Sequence, residues 1–122
     1  MYKVFYYKDN RGKCLIGDYI KSLGSKNDKD SRIKLEKILE YIKYLSREGN
    51  QIGEPFVKHL DGEIWELRPL RNRILYAAWD GESFLFLHLF MKQTQKTPRR
   101  EIEQAKRNLA DYRERSKKNE SE

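Results

Sequence analysis

Apolar positions recur along this chain with two different periods, and the switches between them predict its elements. Residues 2–7, Tyr-Lys-Val-Phe-Tyr-Tyr, are rich in aromatic and β-branched side chains and predict a first strand. Asp9-Asn10-Arg11-Gly12 has the composition of a turn. Leu15, Ile16, Tyr19, Ile20 and Leu23 then follow helical spacing, with Gly24 as a stop and a polar linker over residues 25–30. Asp30 or Ser31 is placed to cap a second helix. Its apolar stripe is Leu35, Ile38, Leu39, Ile42 and Leu45, and Gly49 ends it.

Beyond a loop over residues 50–55 the period shortens to two. Strands are predicted over residues 64–69, 73–79 and 84–91; Leu70-Arg71-Asn72 joins the first pair and Asp80-Gly81-Glu82-Ser83 makes a hairpin of the second. Thr97 as cap and Pro98 as first residue open a last helix running to about residue 115, with Ile102, Ala105, Leu109 and Tyr112 on one side. The order β-α-α-β-β-β-α predicts an α+β fold with helices on one face of a mostly antiparallel sheet, the first strand joining at an edge. One domain is expected over residues 1–116, followed by a polar tail over 117–122.

Strand alternation assigns the predicted faces. Glu66 and Arg68 point with Ile64; Arg73 points with Leu75, Ala77 and Trp79. In the last strand Phe84, Phe86, His88, Phe90 and Lys92 share a face opposite Leu85, Leu87, Leu89 and Met91. The aliphatic face is expected against the helices, which leaves the face with His88 and Lys92 open.

Charge changes the picture from a plain sheet to a binding surface. Charged residues make up 37% of the 122 positions and the net charge is +7, so an anionic partner is favoured, either nucleic acid or an acidic protein. From Lys92 to Lys118, ten Lys and Arg face four acids, a net of +6 beside the arginine-bearing strands. Aromatics at 12% argue against disorder. Cys14 is the single cysteine, which excludes an internal disulfide and a Cys/His metal cluster and fits a reducing, cytoplasmic setting. No apolar run is long enough to span a bilayer and the first residues do not form a signal peptide, so no membrane association is expected.

Cleaving an RNA phosphodiester without metal requires a base for the 2′-hydroxyl, an acid for the leaving 5′-oxygen and cations for the developing charge. Arg68, Arg73, Lys92 and Lys96 suit the last task, and Lys58 and Arg99 extend the phosphate-binding set. His88 and Glu66 are the conventional proton-transfer candidates, with a shifted lysine or tyrosine as an alternative. Each has a plainer reading: His88 as a hydrogen-bonded structural histidine, Glu66 as the partner of Arg68 or Arg73. The catalytic set is therefore Arg73, His88, Lys92 and Glu66, and no metal or other cofactor is expected.

Lys58-His-Leu-Asp-Gly-Glu-Ile-Trp-Glu-Leu-Arg68, Arg73-Ile-Leu-Tyr76, and residues 88–98 with Glu101, Ile102 and Ala105 together resemble the HigB branch of the RelE/ParE toxin superfamily, which includes phage-derived relatives. The resemblance spans nearly the whole chain. It implies a small RelE-like fold and the toxin of a type II toxin–antitoxin pair. Such a toxin cuts messenger RNA in the ribosomal A site, without metal, through the 2′-hydroxyl. It also implies a cognate antitoxin of helix-turn-helix type, with operator DNA contacted only through that antitoxin. Arg73 matches the arginine that holds the scissile phosphate in RelE-like toxins, and Lys92 a basic residue at the end of the last strand. The residue before Arg73 is Asn72 where that pattern has tyrosine, and a Pro98-led helix stands where many members carry a catalytic tyrosine. A ParE-like inhibitor of DNA gyrase, acting by binding alone, is the alternative.

Overall fold

In the computed structural model, which describes residues 1–121, the elements run β1 (Lys3–Tyr6), α1 (Leu15–Gly24), α2 (Lys29–Glu48), β2 (Val57–Asp61), β3 (Ile64–Leu67), β4 (Asn72–Trp79), β5 (Ser83–Met91) and α3 (Arg99–Ser121). The fold is α+β, as expected. The five strands form one sheet in the order β1-β5-β4-β3-β2. All neighbours are antiparallel except β1, which lies parallel to β5 at the edge.

Four sequence expectations need correction. First, β2 is an additional strand, because Gly62-Glu63 turns the chain back onto β3 and sets Lys58 opposite Glu66. Gly62 sits at φ +56°, the left-handed conformation such a tight turn requires. Second, α2 is capped by Asp28, whose carboxylate accepts from the Ser31 backbone N–H at 2.9 Å and from its hydroxyl at 2.9 Å. Third, α3 continues to Ser121 and takes in most of the segment expected as a tail; residue 122 lies outside the described residues.

The fourth concerns the layers. Helices cover both faces of the sheet, not one. Ile16 and Leu23 of α1 and Ile38 and Leu45 of α2 pack with Leu67, Ile74, Tyr76, Phe84 and Phe86. Ala105 and Leu109 of α3 pack on the other side with Ile64, Leu75, Ala77, Leu85 and Leu87. The central strands accordingly read as an unbroken buried run over residues 72–77 and 83–87.

A β-bulge in β5 decides what α3 covers. Tyr76 is paired with Phe86, but Leu75 with His88, so Leu87 is an extra residue without a partner. From His88 onward the alternation is inverted. His88 and Phe90 join Leu85 and Leu87 on the α3 face, and Leu89 joins Phe84 and Phe86 against α1 and α2. The expected open face carrying His88 therefore does not exist; α3 lies over it.

Candidate phosphate-binding crevice

The α3 face of the sheet carries Glu66, Arg68, Arg73 and Phe90 toward one end, because β3, β4 and β5 all finish or begin there. The connection from β5 to α3 folds over that end. Between them lies a narrow crevice lined by Arg68, Arg73, Phe90, Lys92, Lys96 and Thr97, among others. Of the eight residues expected from sequence, Arg68, Arg73, Lys92 and Lys96 meet directly at this crevice. Glu66 lies beneath it, and Lys58 stands exposed opposite Glu66 on the edge strand β2.

Arg73 is 7% exposed, and its Nη1 donates to the carbonyls of Leu70 at 2.7 Å and Asn72 at 2.9 Å. Leu70 is a non-glycine residue at φ +57°, so the guanidinium braces a left-handed turn as well as facing the crevice. Burial pushes Arg73 below its ordinary pKa; Arg68 and Arg71 act in the same direction, and Glu66 opposes them. Burial is the main cause, so the guanidinium is a partly desolvated cation, and a desolvated cation gains from an anion placed beside it. Asn72, the residue before it, points to the other face and accepts from the Tyr19 hydroxyl at 3.0 Å.

Glu66 is fully buried at 0% exposure, and both carboxylate oxygens are occupied. Oε1 accepts from Arg68 Nε at 3.0 Å, and Oε2 accepts from the Thr97 hydroxyl at 2.6 Å. A buried carboxylate requires such partners. Here they fix Arg68 and tie the end of the β5–α3 connection to the sheet. Arg68 also lies 3.7 Å from the exposed carboxylate of Glu54. Lys92 and Arg71 are joined twice through the backbone. The Lys92 N–H donates to the Arg71 carbonyl at 2.8 Å, and Arg71 Nη2 donates to the Lys92 carbonyl at 2.7 Å. Lys58, Lys92 and Lys96 have no ion-pair partner among the described residues.

Two expected residues stand apart. His88 is paired with Glu101 of α3, Nε2 to Oε1 2.9 Å, and faces a separate cleft lined by Tyr7, Lys13, Gln104 and Asn108. The Phe90 ring, 6.1 Å from the His88 ring, follows it toward the crevice. Arg99 is bound by Asp61 at 2.6 Å and Glu103 at 2.9 Å. Thr97 and Arg71 are the residues that sequence reasoning passed over. The Thr97-Pro98 pair signalled a helix start, but the Thr97 hydroxyl is committed to Glu66, a partner 31 positions away.

A family model described as phage derived protein Gp49-like (DUF891) matches residues 24–110, more than two thirds of the chain. The chain belongs to this family. Gp49-like proteins are toxin–antitoxin toxins of RelE/HigB type. The Gp49-like span runs from the end of α1 into α3 and so contains every residue lining the crevice. A search of curated proteins found no match. Among the described residues no helix is long and apolar enough to cross a membrane.

Proposed function

We propose that this Gp49-like toxin is a ribosome-dependent messenger RNA endonuclease. The observation that carries the reading is the crevice itself, where buried Arg73 meets Lys92 and Lys96, neither of which has a carboxylate partner among the described residues. A phosphodiester supplies the missing anion. Arg73 and Lys92 hold its non-bridging oxygens as the 2′-hydroxyl gives up its proton to solvent, its oxygen forms a bond to phosphorus, and the bond from phosphorus to the 5′-oxygen breaks, leaving a cyclic phosphate. Lys96, exposed at the mouth, carries a proton that the departing oxygen can take.

The described crevice lining holds no histidine and no carboxylate. Charge stabilisation is therefore the main contribution of these residues, worth on the order of 10²-fold to 10³-fold per donor. Glu66 acts by positioning Arg68 and Thr97. His88, held by Glu101, positions α3 over the sheet. The partners in this reading are the ribosome with its message and a cognate antitoxin of helix-turn-helix type. That antitoxin keeps the toxin inactive and alone contacts the operator.

Induction of the toxin followed by mapping of messenger 5′ ends tests the reading. New ends within translated codons are expected, and they should vanish with Lys92→Ala. Intact messages with damaged DNA would instead support gyrase inhibition by binding, and would end the nuclease reading.

A further inference from the structure

Arg73 has a neighbour in the crevice that charge stabilisation does not use. Phe90 stands directly opposite it in the β4–β5 ladder, and cross-strand partners project from the same face of a sheet. The phenyl ring is half-buried, and among the described residues it is the one aromatic side chain that lines the crevice. The His88 ring, fixed by Glu101, stacks on it at 6.1 Å with 26° between the planes. Phe90 is thus braced on one side while part of its surface stays in water.

The crevice, with a volume of about 10 Å³, admits phosphate oxygens but has no room for a heterocycle. A second pocket, of about 250 Å³, adjoins it. Phe90 and Pro98 line both, so the two spaces share a wall. Met91 adds to the apolar surface of the second, and Arg100 lines it with no ion-pair partner among the described residues. The Glu101 carboxylate there is already engaged by His88. A free phosphate would occupy the crevice alone, and a duplex keeps its bases stacked inside itself. A single-stranded nucleotide carries a phosphate and an exposed base face side by side, which is the pair of chemistries that these adjoining spaces present.

We propose that Phe90 is the stacking surface for a base of single-stranded RNA, seated in the pocket with Met91 and Pro98 while the phosphate of that nucleotide meets Arg73 across the shared wall. Arg100 meets the nucleic-acid backbone where it leaves the pocket. The proposal rests on the nuclease reading and adds to its cations a subsite for the base. It also gives the His88–Glu101 pair a use, as positioning residues that back the ring. Because every base has a π-face, the subsite adds affinity with little sequence preference.

Binding of a short single-stranded RNA, made uncleavable by 2′-O-methyl groups, is measured by fluorescence anisotropy at low salt with the intact protein. The same oligonucleotide without bases serves as the comparison. Phe90→Leu is expected to weaken binding of the full oligonucleotide about tenfold and to leave the abasic one unchanged. Phe90→Tyr, which keeps the ring, should bind both like the wild type; a thermal melt of each variant establishes that it is folded. A second measurement needs no substitution. The chain has two methionines, Met91 in the pocket and Met1 outside it, so methyl NMR reads the pocket against an internal reference. The full oligonucleotide should shift the Met91 methyl resonance through the ring current of the seated base, the abasic one should not, and Met1 should stay in place. An unmoved Met91 methyl with the full oligonucleotide bound, or an equal loss of both oligonucleotides in folded Phe90→Leu, overturns the base subsite and leaves the nuclease reading standing. Failure of the wild type to bind either oligonucleotide overturns both.

Discussion

Arg73 has two duties that sequence could not separate. Its guanidinium faces the crevice, and its Nη1 also satisfies two carbonyls of the turn that contains Leu70 at φ +57°. Truncation therefore removes both a phosphate ligand and a brace. Arg73→Ala is expected to abolish growth arrest and to lower stability by about 1–3 kcal/mol, since buried carbonyls lose their donor. Adding Leu70→Gly relieves the left-handed backbone and should recover up to about 1 kcal/mol without restoring arrest. Denaturant unfolding of the single and double variants, beside a growth assay, checks this. Recovery of arrest along with stability would assign Arg73 a structural role only.

At the scale of elements, the β5–α3 connection is held at its end by one buried hydrogen bond. The Thr97 hydroxyl donates to Glu66 Oε2 at 2.6 Å, and Arg68 occupies the other oxygen. Thr97→Val keeps the shape and removes the donor, leaving a fully buried carboxylate short of a partner. A loss of about 1–3 kcal/mol is expected, with weaker growth arrest because Lys96 is no longer held over the crevice. Thr97→Ser should behave as the wild type. A melting temperature for Thr97→Val equal to that of wild type would show that the connection is held by other contacts.

The bulge at Leu87 is the other element-scale device. One unpaired residue moves His88 from the face that strict alternation assigns to it and puts it under α3, against Glu101. Nothing in Phe84-Leu-Phe-Leu-His-Leu-Phe-Met91 marks where an extra residue falls, because every position there is apolar or amphipathic. The hairpin that sequence reading missed was more legible. Gly62 opens a two-residue turn, Gly62-Glu63, between two short runs, but the charged Lys58-His59 pair disguised the strand before it.

For the whole molecule, the first strand segment and the last helix close on each other. The Tyr7 hydroxyl donates to Asp111 Oδ2 at 2.7 Å, and the Arg115 guanidinium lies 5.5 Å above the Tyr7 ring. Burial, followed by the bond to Asp111, pushes the Tyr7 phenol up to about 12. Its ordinary value is about 10. A raised acid favours the neutral form in the folded state. The stabilisation is therefore complete below pH about 10 and is lost as pH rises through about 12. The same bond holds the Asp111 carboxyl below the usual carboxylate range, so its share is lost in acid as pH falls through that lowered value. Tyr7→Phe should be less stable than wild type at neutral pH, and the difference should shrink between pH 10 and 12. Urea midpoints measured across that range test it, and a difference that stays constant would show that the phenol does not titrate with unfolding.

Sequence by itself determined the kinds of element, the β1 edge position, the apolar positions of the three helices and the cation-rich strands, because period and charge are local properties. It also singled out Arg68, Arg73, Lys92 and Lys96 as phosphate-binding candidates, while the register that sets Arg73 opposite Phe90 and brings the four to one crevice came from the structure. Tertiary structure alone decided that α3 covers the face opposite α1 and α2, that His88 turns to Glu101 and away from the crevice, and that Glu66 is consumed by Arg68 and Thr97. The physical reason is the same in each case. A helix stripe is equally content on either sheet face, a bulge shifts parity without changing composition, and a carboxylate is a base or a buried anchor according to what packs over it.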